Sequence, residues 1–316
     1  MGYKSDQYER VKKLIKNNCV FYGDAGNGLF RKKQHPFILK DRNNNFYSKI
    51  RCEAIEYFAD NNISWWGGRV PTNHPLSSQI ACVNHLFPIR QDEEAVLAIA
   101  KTVHPEVKGV VKIASDDVNT GFIQFEAVSK GDNLNEMEGR PLIRGSQCTS
   151  IDALILGQID ARKQILIVIE WKYTEAYGNE NKAAGEKGET RKSRYDDLIK
   201  SSAQLKADAQ GVYYYEPFYQ LMRQTLWAEQ MIKNKASEII KADDYIHVHV
   251  IPPENGDLLR KTYKCSQKDM ESTWRGCLND EKKYKIISPA DFLSPIDQVK
   301  YKELVNYLET RYWEDI

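Results

Sequence analysis

No apolar run in the sequence approaches the roughly 18–20 residues needed to cross a bilayer, which excludes a helical membrane span on pattern grounds. Met1–Val20 lacks the apolar core of a signal peptide, so a cytoplasmic chain is expected. The six cysteines, Cys19, Cys52, Cys82, Cys148, Cys265 and Cys277, include no CxxC pair and no cluster with His at zinc spacing. A redox dithiol and a zinc finger are therefore out, and scattered thiols fit a reducing compartment. No internal repeat is visible. Net charge is nearly absent: 45 Lys and Arg face 44 Asp and Glu, leaving +1. Composition does not announce a nucleic-acid binder, although a local basic cleft would suffice. With 316 residues, 41% of them hydrophobic, the chain is long enough for one large or two modest domains with a sizeable core.

What is present centres on Ser150–Tyr173. Two apolar runs, Ile151–Leu156 and Ile165–Ile169, flank the polar segment Gly157–Gln164. Short, bounded, β-branched runs predict two buried strands joined in a hairpin. Each run carries charge where a buried strand should not. Asp152 stands near the start of the first, and Glu170 and Lys172 at the end of the second. Alternate strand residues share a face, so Glu170 and Lys172 point one way and Trp171 the other. Pairing the start of one strand with the end of the other brings Asp152 close to Glu170. Two carboxylates at one spot repel and raise each other's pKa. A divalent cation between them resolves the conflict, and hard oxygens suit Mg²⁺ or Mn²⁺. A neighbouring lysine can hold a water or stabilise developing negative charge. The local chemistry points to metal-assisted attack on a phosphodiester.

Asp152 followed by Glu170-Trp171-Lys172 on a β-hairpin resembles the PD-(D/E)XK nuclease superfamily, to which many restriction endonucleases belong. The runs His74–Pro88 and Ile169–Tyr177 resemble a restriction-endonuclease-like bacterial subgroup. One departure is that Thr149-Ser150-Ile151 supplies no Pro before Asp152. The resemblance implies an α/β fold with an αβββαβ core, a mixed central sheet flanked by helices, and N- and C-terminal extensions. It implies a Mg²⁺-dependent endonuclease acting on DNA, with Mn²⁺ able to substitute. Asp152 and Glu170 would bind metal, with the backbone carbonyl of Trp171 as a further ligand. Lys172 would orient the attacking water and stabilise its charge. Cutting two strands suggests a homodimer. The alternatives are a repair or recombination nuclease without sequence specificity, and a catalytically silent DNA-binding protein.

The boundaries expected are an N-terminal basic and aromatic extension over 1–75, a nuclease core over 76–252 and an α-rich extension over 253–316. Residues 1–42 carry 10 Lys or Arg against 4 Asp or Glu, as a solvated surface or as an arm on the phosphate backbone. Helices are expected at Tyr8–Asn17, Ile50–Asp60, Pro75–Phe87 and Asp92–Val103. Trp65-Trp66-Gly67-Gly68 forms a break, where packing is favoured over base stacking. On Pro75–Phe87, Ile80, Val83 and Phe87 make a core stripe. Gln79 or Asn84 would there position a metal-bound water or a phosphate, or serve only as a cap or surface amide. Gly121–Val128 reads as the first core strand. Its Glu126 is either a further carboxylate beside Asp152 or a solvent-facing residue. Thr174 to about Ser193 reads as a long polar loop, a lid or DNA-contact segment with Arg191, Lys192 and Arg194 on phosphates, or plain surface. Tyr195–Ala209 and Pro217–Lys233 read as helices. The second carries Gln220 and Gln224 in place of the QxxxY pattern seen in some branches of the superfamily. Tyr245–Ile251 is a strand on which His247 and His249 share a face, expected half-exposed. Beyond it come a helix at Gln267–Leu278, an edge strand at Lys285–Ile287, a helix capped by Ser288-Pro289, and a closing helix at Gln298–Trp313.

Overall fold

Runs of Ile, Leu and Val that are apolar on both sides of the strand build a sheet buried on both faces. The computed structural model describes residues 2–17, 20–66, 68–114 and 120–313. The expectations that touch Cys19 and Gly67 lie outside the described residues. A two-stranded hairpin, β1 (Gly28–Phe30) and β2 (Lys33–His35), stands apart from the main sheet. The main sheet has six strands: β3 (Gly109–Val111), β4 (Ile123–Ala127), β5 (Ile151–Gln158), β6 (Gln164–Trp171), β7 (Asp244–Val250) and β8 (Tyr284–Ile287). Strands β4, β5 and β6 are antiparallel, whereas β7 joins β6 and β8 joins β7 in parallel. Strand β3 shares the outer edge of β5 with β4, pairing with Leu156–Gln158 while β4 pairs with Ile151–Ile155.

The helices are α1 (Tyr3–Asn17), α2 (Arg51–Asp60), α3 (Ser78–Leu86), α4 (Glu93–Val103), α5 (Gly185–Ser201), α6 (Gln210–Tyr213) and α7 (Phe218–Lys233). They continue with α8 (Gly256–Leu259), α9 (Met270–Gly276), α10 (Pro289–Leu293) and α11 (Lys302–Leu308). None of the described helices is long and apolar enough to cross a membrane. Strand alternation sorts the core into two layers. Ala153, Ile155, Ile165, Ile167, Ile169 and Trp171 face α1 to α4 and the last helices of the chain. Leu154, Leu156, Leu166 and Val168 face α5 and α7. Each fully buried Ile or Leu contributes about 1.5–3 kcal/mol, which holds both helical layers on one sheet.

Caps fix where the helices begin. Ser77 Oγ accepts from Ile80 N–H, so α3 starts at Ser78 rather than at Pro75. Asp92 accepts from the N–H groups of Glu94 and Ala95 and starts α4. Ser288 accepts from Asp291 N–H at 3.0 Å, with Pro289 in the first turn, as expected.

Other expectations need correction. Nearly half of the supposed loop after Thr174, residues 185–193, is helical, because α5 begins at Gly185. The helix is polar nearly all round and buries only Gly188, Tyr195 and Ile199, too few to show a period. It ends at Ser201, not Ala209, where Ser202 Oγ turns to Glu229 at 2.6 Å. Strand β3 precedes β4, so Gly121–Val128 is not the first strand of the sheet. The closing helix is α-helical only over Lys302–Leu308 and finishes in a π-helical turn, Glu309–Trp313.

The two ends of the chain meet. Arg10 donates to Thr310 O at 3.0 Å, and buried Arg311 donates to Asn45 O at 2.7 Å. Trp313 Nε1 donates to His85 Nε2 at 3.1 Å, while His85 Nδ1 sits 2.7 Å from Ala81 O. This pattern fits only a neutral ring with its proton on Nδ1, and burial lowers His85 from 6.5 to about 3. The unfolded chain therefore takes up a proton that the folded one refuses. The stability from this group is complete above about pH 6.5 and is lost as the pH falls toward 3. At pH 5 the loss is about 2 kcal/mol. Thermal melts between pH 7.5 and 4.5 should fall more steeply for the wild type than for His85→Gln, which keeps both hydrogen bonds without titrating. Superimposed profiles would remove His85 from the acid response.

Candidate active site

The hairpin register does what the sequence pattern asks of it. Ala153 lies opposite Ile169, and continuing this register by one residue sets Asp152 across from Glu170. Both share the face of Leu154 and Val168, toward α7. Asp152 Oδ2 accepts the backbone N–H of Trp171 at 2.8 Å. On the other side of β5, Phe125 and Ala127 lie opposite Ala153 and Ile151, which brackets Glu126 in the row of Asp152. Glu126 itself does not pair and has a φ of 49°, left-handed for a non-glycine residue. Backbone strain of this kind costs roughly 1–3 kcal/mol and tends to persist at functional sites. The break lets Ala127 pack in the α7 layer next to a buried Glu126. Glu126 is thus not a solvent-facing residue.

Asp152, Glu170, Glu126, Lys172, Gln79 and Gln220 line one cleft of about 490 Å³. Lys172 Nζ contacts Glu170 Oε1 and donates to Gln220 Oε1 at 2.6 Å. Gln224 Nε2 donates to Glu170 Oε2, and Gln224 Oε1 lies 2.9 Å from His247 Nε2. Gln220 and Gln224, one turn apart on α7, thus hold Lys172 and Glu170 respectively. Glu126 accepts from Gln79 Nε2 and from Ser150 Oγ, each at 2.7 Å. Gln79 Oε1 also accepts Trp66 N–H at 2.7 Å, so one amide touches both the acid and the rim.

Burial and the carboxylates of Glu170 and Glu126 push Asp152 well above the usual carboxyl range. Burial also raises Glu126, against the hydrogen bonds from Ser150 and Gln79. Desolvation works to lower Lys172, but Glu170, Tyr177, Glu175 and Asp152 together outweigh it and the ammonium is held well above its ordinary value. The cleft therefore concentrates acidic groups around one firmly protonated lysine.

This donor set fits a hard dication bound partly by water. Among the described residues, no three His, Cys, Asp or Glu side chains form a metal cage by themselves. Mg²⁺ does not need one, since it takes one or two carboxylates and completes its shell with water and phosphate. A strand residue's N–H and C=O point to the same side. Trp171, whose N–H reaches Asp152, therefore turns its carbonyl to the β5 side of the strand as well.

Several other candidates fall elsewhere. Asn84 is fully buried: it accepts Tyr47 N–H at 2.9 Å and donates to Asn45 O at 3.0 Å and Tyr312 Oη at 2.9 Å. It joins α3 to the segment around Asn45 and to Tyr312, and it does not line the cleft. Arg191 donates to Lys182 O at 2.8 Å, Lys192 pairs with Glu189 at 2.9 Å and Arg194 with Glu138 at 2.7 Å. None of the three lines the cleft. His247 and His249 are 1% and 0% exposed rather than half-exposed, because β8 makes β7 an interior strand. Burial keeps both rings neutral, and His247 serves to orient Gln224. Trp65 packs, stacked on Phe58 at 3.8 Å, whereas Trp66 is 52% exposed and lines the cleft.

Two positions escaped the sequence reading. Glu136 takes Thr149 Oγ1 at 2.6 Å, Tyr195 Oη at 2.6 Å and Arg223 at 3.0 Å, pinning the entry to β5. It lies in a polar loop with no period to signal it. Gly145 has a φ of 71°, and a Cβ there would stand 2.6 Å from Ser64 O and 3.4 Å from Glu126 Cδ. Glycine at 145 leaves Glu126 its place.

A family model described as REase-ARP, Restriction Endonuclease associating with ARP, matches residues 10–313. No curated protein and no solved structure matches the chain.

Proposed function

The chain belongs to the REase-ARP family, Restriction Endonuclease associating with ARP, and from this premise we propose that it is a metal-dependent endonuclease that hydrolyses DNA phosphodiester bonds. One observation carries the reading: Asp152 and Glu170 face each other across neighbouring strands, with the Lys172 ammonium against Glu170 in the same cleft. With α4, β3, α5 and α6 taken as insertions, the order α3, β4, β5, β6, α7, β7 supports an αβββαβ core of the PD-(D/E)XK kind within 76–252. Asp152, Glu170 and the Trp171 carbonyl would hold Mg²⁺, or Mn²⁺ in its place. Bound there, the ion lowers the pKa of water and offsets charge on the phosphate.

The remaining work belongs to this chain's own residues. Lys172 directs its ammonium at the attacking water and at the charge that water develops. Gln220 fixes the ammonium, and Gln224, itself held by His247, fixes the Glu170 carboxylate. Gln79 and Ser150 hold Glu126 at the third corner of the site. Such support matters because a displacement of about 1 Å costs roughly a hundredfold in rate. Arg191, Lys192 and Arg194 reach phosphate only if duplex DNA extends over α5. Cutting both strands would call for a second copy of the chain, as a homodimer.

The test is incubation of the purified protein with supercoiled plasmid in Mg²⁺, in Mn²⁺ and in EDTA. Cleavage in either metal and none in EDTA is the expected result. Discrete fragments would support a sequence-specific enzyme, and a continuous smear the repair-type alternative. Intact plasmid in both metals would favour the silent DNA-binding protein.

A further inference from the structure

The hairpin β1–β2 stands outside the main sheet, and the catalytic reading does not use it. Phe30 and Lys33 close its two-residue turn, which consists of Arg31 and Lys32 with φ of 48° and 67°. Turns of this shape favour Asn-Gly, because both central residues must be left-handed. Two long cations at these positions go against local preference. Arg31, Lys32 and Lys33 are all exposed, and none has an acidic partner among the described residues.

Aromatic contacts tie this basic tip to the cleft. The Phe30 ring lies under Arg31 at 5.5 Å, stacks on Trp66 at 6.1 Å with 22° between planes, and meets His74 edge-on at 4.9 Å. Trp66, His74 and Lys4 line the cleft itself. Burial, and then the positive charges of Lys4, His35 and Arg31, lower His74 to about 4.

We propose that this hairpin, with Lys4 and Trp66, clamps a single DNA strand at the mouth of the cleft, its basic tip on phosphates and the Trp66 ring on the face of an unpaired base. This deepens the nuclease reading and rests on it for the identity of the bound polymer as DNA. An indole takes a base face only where the base has left its stack, so the strand is unpaired where it passes Trp66. The substrate class is then single-stranded or locally opened DNA, with the phosphate next to the unpaired base delivered to Asp152 and Glu170. Gln79 links the two parts through the Trp66 N–H and the Glu126 carboxylate.

The experiment is fluorescence anisotropy in EDTA, with a fluorescein-labelled 20-mer as a single strand and as a blunt duplex. Wild type should bind the single strand more tightly. Trp66→Ala should weaken single-strand binding about 5- to 100-fold, with Trp66→Phe retaining most of the affinity. A triple variant, Arg31→Asn, Lys32→Gly, Lys33→Gln, installs a favourable turn, so its melting temperature should hold or rise. Its binding should lose about 2 from the slope of log affinity against log salt, at roughly 0.7 per phosphate contact on single strands. Wild-type affinity in both variants would overturn the clamp, as would tighter binding of the duplex. Weakened binding together with both the single strand and the plasmid left uncut in Mg²⁺ and in Mn²⁺ would leave the clamp standing and remove the nuclease reading. Plasmid cleavage with unaltered binding in the variants would do the reverse.

Discussion

Replacing Asp152 by asparagine should leave a folded protein that no longer cuts DNA and that melts at a higher temperature than the wild type. The two effects share one cause. Asp152 is half-buried beside the carboxylates of Glu170 and Glu126, and desolvation and their charges raise its carboxyl well above the ordinary 3.8. The folded state therefore binds the proton more tightly than the unfolded chain. Stability from this group is complete below about pH 3.8 and is lost as the pH rises toward the folded value. At pH 7.5 without metal, the stability that this carboxyl lends at low pH has been lost or reduced, a cost that the Asp152→Asn protein does not carry. The amide oxygen still accepts Trp171 N–H, so the strand end keeps its hydrogen bond. Activity moves the other way, because an amide is a poor ligand for Mg²⁺. Loss of a single electrostatic stabiliser costs on the order of 10²–10³ in rate. Nicking of supercoiled plasmid in Mg²⁺ measures the activity, and melts in EDTA at pH 4 and pH 7.5 measure the stability. The gain in melting temperature should shrink toward pH 4, and added Mg²⁺ should raise the melting temperature of the wild type only. Wild-type cleavage by Asp152→Asn, or a lower melting temperature in EDTA, would contradict this account.

Lys172→Met should be the most damaging single change to the fold near the cleft. The Lys172 and Glu170 side chains are 6% and 1% exposed. Removing one partner of a buried pair leaves the other charge without compensation, at about 3–5 kcal/mol. Removing both charges relieves that cost. Lys172→Met combined with Glu170→Gln should recover most of the lost stability, because the introduced glutamine keeps a carbonyl oxygen for Gln224. Cleavage should be absent from single and double variants alike. Urea titration of the two singles and the double gives the coupling directly. A double variant no more stable than Lys172→Met would show that the pair is not the source of the loss.

How much of this was legible in the sequence depends on whether a residue's role follows from its own strand or helix. The hairpin was legible because two bounded apolar runs carry their charges at opposite ends. Gln220 and Gln224 could be named because the resemblance directs attention to a glutamine on the helix after Lys172, and helical spacing sets both on one side of α7. Glu126 stayed ambiguous, since its burial depends on a left-handed backbone that no side-chain pattern announces. The histidines of β7 were misjudged because their cover comes from β8, a strand formed some 35 residues later. Helix α5 went unseen because a polar helix with three buried residues has no period to read. Strands of three residues, as in β1, β2 and β3, are too short to alternate. Asn84 looked available because its partners, Asn45, Tyr47 and Tyr312, come from distant parts of the chain.

Trp171 looks in two directions at once. Its amide holds Asp152, and its indole packs 4.6 Å from the imidazole of His85. That imidazole is in turn anchored by Trp313, from the far end of the chain. The strand end that carries the proposed site is thus buttressed from behind by a segment about 140 positions downstream. Trimming or loosening this brace would disturb the alignment of the proposed ligands, which it never touches, so the precision proposed for the site depends on residues far along the chain.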